Sequence, residues 1–409
     1  MSSTLLQVGV VIPALTALRL GAHLAGASEL LLHDQQLTTP LTSYSQLQEG
    51  LYLFNHGIDP YNGGTVRHSP LLLALFSSIL PSSRDVAATL WALCDAIAAW
   101  ALVQTWRARQ NVSSSSRDGL VAAMYLLNPY IFLPTLALST SSLENALLLL
   151  AVMFASQKKA AASLLSLAFL SHLSPNALLL LPPLVLILLT NPHSHLASPQ
   201  KISFNAKKVA PLAAEFLLYT GVLTAASTLV AGSWRWIPQT WGTWFTLPDL
   251  TPNVGLWWYF FTEMFDHFRS FFLVVFSIHL LIYVAPLCIK FQHDPLYALF
   301  LLTGIIGAFK SYPTLADPGL FLSMTSIFPE TFPYLRFPIV TSLLHLHSAL
   351  LLPLFHHLWL TQGTGNANFY YASTLVFACS NGAAILDALW AGMRIAIGKD
   401  VDGYAVDQE

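Results

Sequence analysis

Apolar runs long enough to cross a bilayer recur from one end of this chain to the other, and they decide what it can fold into. About 20 apolar residues make one helical crossing, and residues 5–26, 86–106, 119–137, 209–231, 268–289, 336–360 and 369–393 meet that length. Shorter or broken apolar pieces at 143–156, 160–172, 175–190, 295–309 and 319–333 are punctuated by Pro182, Pro183, Gly304 and Gly307. Such helices suit a bundle interior, where neighbours satisfy the backbone groups that a break sets free. The expected architecture is an all-α, polytopic transmembrane helix bundle of about 12 spans, with residues 1–409 forming a single integral membrane domain. Only 9% of residues are charged and 55% are hydrophobic, against roughly 25% charged in an ordinary soluble domain.

The apolar stretch 69–80 is too short to cross, and Pro70 and Pro81 bracket it; it is expected to be a luminal re-entrant or interfacial helix. Arg107, Arg109, Arg117, Lys158, Lys159, Lys201, Lys207, Lys208, Lys290, Arg394 and Lys399 then share one side, which the positive-inside rule makes cytoplasmic. The segments 27–67, 232–266, 311–319 and 362–368 fall in the lumen, and both termini in the cytoplasm. The Asn111-Val-Ser113 sequon lies on the cytoplasmic side and is expected to be unused. No basic region and small-residue cleavage site accompany Leu5–Leu20, which reads as a first span rather than a cleaved signal.

Several function classes lose support at this point. A net charge of -2 without a sustained basic stretch argues against a nucleic-acid partner. Cys94, Cys288 and Cys379 are far apart and have neither disulfide nor zinc spacing. His345 and His347 do not share a helix face, and no carboxylate joins them or His356 and His357 at ligand spacing. No metal site and no cofactor are expected. Phosphate-loop, nucleophile-elbow and His-Glu-x-x-His patterns are all missing, so no catalytic residue is assigned.

The polar and aromatic intrusions are more informative. Residues 233–259 hold six tryptophans, a composition that fits an interfacial belt, or a platform where indole faces meet sugar rings while Asp249 and Asn253 meet hydroxyls. Glu263, Asp266 and His267 follow at the mouth of a span, at a spacing that would place them on one helix face. Lys310 ends an apolar run and could snorkel or meet a phosphate. Asn381 and Asp387 lie inside the last span, where an acidic residue is a functional candidate.

Four stretches then carry a resemblance. Gly57-Ile-Asp-Pro-Tyr-Asn-Gly-Gly-Thr-Val-Arg-His-Ser-Pro-Leu-Leu72, the run Pro248 to Phe268 containing Asn253-Val-Gly-Leu-Trp-Trp-Tyr259, Phe309-Lys-Ser-Tyr-Pro-Thr314 and Asn366-Ala-Asn-Phe-Tyr-Tyr371 together resemble the U-subunit (PIG-U) family of the glycosylphosphatidylinositol (GPI) transamidase. The resemblance implies a multi-pass protein of the endoplasmic-reticulum membrane. Its implied partners are the other transamidase subunits, including a cysteine-protease-like catalytic subunit, and the GPI lipid. The implied role is non-catalytic: recognising and presenting GPI for attachment to the C-terminus of proproteins. By position in the family motifs, Asp249, Asn253, Glu263, His267, Lys310, Tyr312, Asn366 and Asn368 would be the lipid-binding residues, with Lys310 meeting the inositol phosphate.

The chain is also similar to multi-span GPI mannosyltransferases, which implies a glycosyltransferase-C-like fold. Asp59-Pro60-Tyr61 and His68-Ser69-Pro70-Leu71 keep that pattern. Ser43-Tyr-Ser-Gln-Leu-Gln-Glu-Gly50 has serines and glutamines where such an enzyme places its acidic motif, although Glu29, Asp34 and Glu49 remain in the loop. A shell without its acids still encloses room for a lipid-linked glycan. The competing expectations are a GPI-pathway mannosyltransferase, a purely structural scaffold subunit and, with less support, a transporter.

Overall fold

The computed structural model describes residues 7–191, 194–200, 206–397 and 402–403. The described residues are built from α-helices and short 3-10 turns, with one isolated bridge between His195 and Ser198 as the only β pairing among them. Each of the twelve apolar segments read from the sequence contains helix. Five helices are long and apolar enough to cross a bilayer: Arg84–Gln110, Lys207–Ala231, Asp266–Lys290, Pro338–Leu360 and Ala367–Ile395. The pair Asp118–Leu126 and Pro129–Leu136, whose axes differ by 52°, would make a sixth if it crosses as one broken span. Val8–Leu24, Ser141–Ser156, Ala160–Leu173, Pro175–Leu189 and Pro295–Phe309 are shorter. Leu5, Leu6, Lys201 and Lys399 lie outside the described residues.

Proline chemistry explains the breaks. The segment expected over 319–333 is a nine-residue helix, Ala316–Met324, followed by 3-10 turns at Thr325–Ile327 and Pro329–Tyr334; Pro329 and Pro333 cannot donate to an α-helical ladder. At the bend, Pro129 has no N–H for the Tyr125 carbonyl, and the Tyr130 N–H turns to Asn128 Oδ1 at 3.0 Å. The Leu126 carbonyl is thereby left over, and Arg19 Nη2 takes it at 2.7 Å. Arg19 Nε also meets Asp95 Oδ2 at 3.0 Å, and Thr135 Oγ1 donates to the same carboxylate at 2.6 Å. Arg19 and Asp95 are 1% and 0% exposed, so this pair joins the first helix, Arg84–Gln110 and the bend out of reach of bulk solvent.

Pro295–Phe309 is apolar all round and buried over most of its length, as a central helix should be. Two glycines let neighbours close on it. A Cβ at Gly304 would sit 2.7 Å from the Phe321 ring, and one at Gly307 would sit 3.0 Å from Asp317 Cβ.

The connections sort into two ends of the bundle. At one end Arg109 pairs with Asp294 at 2.7 Å and Glu330 at 2.5 Å, Lys158 Nζ donates to the Thr190 carbonyl at 2.6 Å, and Ser194 Oγ donates to the His293 carbonyl at 2.7 Å. At the other end Thr140 N–H meets the Thr42 carbonyl at 3.0 Å, Leu315 N–H meets the Gln36 carbonyl at 3.4 Å, and Trp241 Nε1 meets the His172 carbonyl at 3.0 Å. The 69–80 stretch contributes the nine-residue helix Pro70–Ser78, packed on Tyr44–Asn55 and on Ala206–Ala231.

Candidate functional site

The eight residues singled out by motif fall into three places. Asp249, Asn253, Lys310 and Tyr312 form a buried junction. The Tyr312 hydroxyl donates to the Asp249 carbonyl at 2.8 Å and accepts the Asp249 N–H at 3.2 Å; burial raises its phenol well above the ordinary value of 10. Asn253, 2% exposed, accepts the Gly255 N–H at 2.8 Å, and a Cβ at Gly255 would strike the Pro313 ring at 2.6 Å. Glycine there is what lets the 248–268 and 309–314 stretches lie flat on each other. Lys310 pairs with Asp317 Oδ1 at 2.6 Å and lies 5.5 Å over the Trp244 ring. Its charge is therefore compensated within the chain.

Asn366 and Asn368 make the second place. Asn366 Oδ1 accepts the Phe369 N–H at 3.2 Å at the start of the last helix, and Asn368 Oδ1 accepts from the Tyr259 hydroxyl. Tyr371 donates to the Leu256 carbonyl at 3.1 Å, and its ring is 4.7 Å from that of Tyr259. Beneath them Trp258 lies near-parallel to Trp359, centroids 6.1 Å apart, and 5.8 Å from Tyr370. The two asparagines are exposed and Tyr259 and Tyr371 half-buried, whereas Trp258 and Tyr370 are buried. The result is an edge of amides and phenols on a rigid aromatic floor.

Glu263 and His267 are exposed; Glu263 lies beside the Tyr259 hydroxyl at the rim of the second place. The expected shared helix face is absent: Trp257–Thr262 ends, Phe265 is extended at φ -64° and ψ 136°, and Asp266 begins a new helix. The interfacial belt needs a similar correction. Trp236, Trp244, Trp257 and Trp258 are buried, and Trp234 is the exposed member of the six, so these indoles mainly pack the loop onto the bundle.

The Gly57–Leu72 motif is closed on itself. Asp59 Oδ1 accepts the Tyr61 N–H at 2.9 Å, Tyr61 donates to the His68 carbonyl at 2.8 Å, and His68 Nε2 meets the Ser43 carbonyl at 2.8 Å. Burial pushes the His68 imidazole down to about 4. Asp387 accepts the Arg336 and Phe337 N–H groups at 2.6 and 3.1 Å, which caps the entry to Pro338–Leu360. Asn381 Oδ1 meets His345 Nε2 at 3.2 Å and joins the last two helices.

Set against known proteins, residues 13–377 match the family model described as GPI transamidase subunit PIG-U. The chain belongs to the PIG-U family. Among PIG-U relatives, the GPI transamidase component GAB1 of Saccharomyces cerevisiae is 33% identical over 370 residues, 90% of each chain. Its Schizosaccharomyces pombe homologue is 34% identical over 369 residues, 88% of this chain and 87% of its own. The human GPI-anchor transamidase component PIGU is 30% identical over 397 residues, 90% of this chain and 89% of its own. Motif reading missed Arg19, Asp95 and the Arg109–Asp294–Glu330 group within this PIG-U chain. Asp95 was visible as a lone acid in an apolar run, and its partner was 76 residues away.

Proposed function

We propose that this chain is the non-catalytic subunit of the GPI transamidase that recognises the GPI lipid and presents it for attachment to proproteins. It works in the endoplasmic-reticulum membrane as one membrane domain, beside the other subunits and a cysteine-protease-like subunit that supplies the reactive thiol. The edge formed by Asn366, Asn368, Tyr259 and Tyr371 carries this reading. Two family motifs more than 100 residues apart meet there, and amides and phenols over an aromatic floor offer hydrogen bonds and ring faces to a glycan headgroup. Asp249, Asn253 and Tyr312 hold the adjoining loop, Lys310 offers beside it the ammonium donors that its pair with Asp317 leaves over, and Glu263 and His267 line the approach. The alternation of connections between two ends is the pattern that about 12 crossings would give, and it supports the glycosyltransferase-C-like bundle with 69–80 lying at the luminal surface.

The test is photo-crosslinking of a GPI probe to this chain in membranes depleted of the native protein. Asn368→Ala and Tyr259→Phe in assembled complexes are expected to lose labelling while assembly persists. An active complex in which the wild-type chain is never labelled would leave a scaffold instead.

A further inference from the structure

Where Ala316–Met324 ends and gives way to 3-10 turns, the helices beside it lose a neighbour and a cavity results. It has about 670 Å³ of free space including its open mouth, and lies between Thr325–Tyr334, the start of Pro338–Leu360 and the last helix. One wall is aromatic: the Phe300 and Phe321 rings stack at 4.6 Å, and Phe328 lies 5.0 Å from Phe300. The Arg109 guanidinium sits 4.6 Å over Phe328 and pairs with Glu330, so the cavity belongs to the end of the bundle that holds Lys158. Asp387, also on its wall, stands 19 residues along the last helix from Asn368, about 29 Å at 1.5 Å per residue.

Most of its polar lining is already spent. Thr325 Oγ1 donates to the Leu322 carbonyl at 2.6 Å, Thr331 Oγ1 to the Phe328 carbonyl at 2.7 Å, and Ser342 Oγ to the Pro338 carbonyl at 2.8 Å. The Asp387 carboxylate takes the Arg336 and Phe337 N–H groups. These side chains turn their polarity back on the chain and leave hydrocarbon and ring surface toward the space. A polar ligand would find little there to replace its water shell, whereas an apolar one meets the wall without that cost.

The mouth has a different character. Leu335 and Pro338 line the cavity, and between them in the chain Arg336 is exposed. Its guanidinium makes no ion pair among the described residues and lies 5.3 Å over the Phe337 ring and 5.8 Å over the Trp390 ring. Pro338 opens a helix long and apolar enough to cross a bilayer, which puts Arg336 at the level where aromatic and basic side chains meet lipid headgroups. Arginine holds phosphate through its planar fork, and a cation without a counter-charge repels a quaternary ammonium. We infer that this cavity holds one acyl chain of an anionic glycerophospholipid, whose phosphate rests on Arg336. The distance along the last helix to Asn368 matches the roughly 30 Å hydrocarbon thickness, so this lipid comes from the leaflet opposite the Asn368 edge.

The experiment uses the intact complex in phosphatidylcholine nanodiscs doped with a phosphatidylglycerol whose acyl chain ends in a photoreactive diazirine. A phosphatidylcholine carrying the same chain is run in parallel, and crosslinked peptides are mapped by mass spectrometry. The phosphatidylglycerol probe is expected to label the 300–328 stretch at least about tenfold more than the phosphatidylcholine probe, the worth of one charge-assisted hydrogen bond. Arg336→Gln should bring the two probes level. Ala384→Phe, which fills the cavity from its wall, should abolish labelling of that stretch by both. A ring at that position risks the fold, so Ser342→Trp at the exposed mouth is a second block, with subunit composition and the melting midpoint as checks. Asn368→Ala should leave the labelling intact, which separates this site from the glycan edge. Labelling confined to outward residues such as Leu343 and Leu346, equal labelling by both probes in the wild-type complex, or an unchanged preference in Arg336→Gln would overturn the inference and leave only bulk lipid around the chain. A wild-type complex with no label in the cavity would overturn it too, and give the space to a partner subunit.

Discussion

Replacing Asp95 with alanine strands the Arg19 guanidinium out of reach of bulk solvent and, among the described residues, without another carboxylate to pair with. Both side chains are essentially inaccessible, at 1% and 0% exposed, so the change should cost about 3–5 kcal/mol, the usual result of breaking a buried pair from one side. Thr135 contributes little to that loss, because its hydroxyl keeps the Ile131 carbonyl at 2.9 Å. The double substitution Arg19→Leu with Asp95→Leu removes both charges and leaves the Leu126 carbonyl unpaired, a residual cost of about 1–3 kcal/mol. The double variant should therefore be more stable than Asp95→Ala by about 2 kcal/mol. Cys94 and Cys288 are buried, so a thiol-reactive dye followed on heating reports unfolding directly; Cys379→Ser in every variant removes the exposed thiol. A double variant as unstable as the sum of its single changes, or an Asp95→Ala variant that melts like wild type, would refute the argument that the pair is a closed charge unit.

Two further outcomes follow from local geometry. The His68 imidazole, lowered from 6.5 to about 4 in the fold, favours its neutral form, so the stability tied to it is complete above pH 6.5 and is lost as pH falls, by about 3 kcal/mol at pH 4. His68→Gln should flatten that part of the acid dependence of the melting midpoint, and an unchanged profile would assign the loss elsewhere. Gly304→Val forces a side chain against the Phe321 ring at 2.7 Å and Ile385 at 3.0 Å, for about 1–3 kcal/mol of overpacking. Gly382→Ala, with open space at its Cβ, should be neutral or stabilising. The opposite order in the thermal assay would contradict the packing.

The apolar segments were legible because a crossing helix needs a length of apolar chain, and length survives in sequence without knowledge of neighbours. Breaks were legible at prolines, and the 316–334 region frays where Pro329 and Pro333 stand. What each intrusive polar residue does was not legible. Asp387 reads as an isolated acid in a span until the fold brings the Arg336 and Phe337 N–H groups to it. Tryptophan count in 233–259 pointed to a surface belt, whereas burial is decided by what packs against the loop. Within the candidate site the motifs were visible, but the meeting of Tyr259 with Asn368 depends on tertiary structure.

The bend at Pro129 also bears on how the chain enters a membrane. Val8–Leu24 carries Arg19, and an arginine held inside an isolated span costs at least about 2.5–3.5 kcal/mol. Its counter-charge arrives with the next long helix, and the carbonyl that holds its other nitrogen lies 107 residues downstream. The Val8–Leu24 helix is thus incomplete as an independent unit during synthesis. It settles in lipid only once the helices bearing Asp95 and Leu126 have emerged beside it, so early assembly must proceed as a group of helices rather than one span at a time.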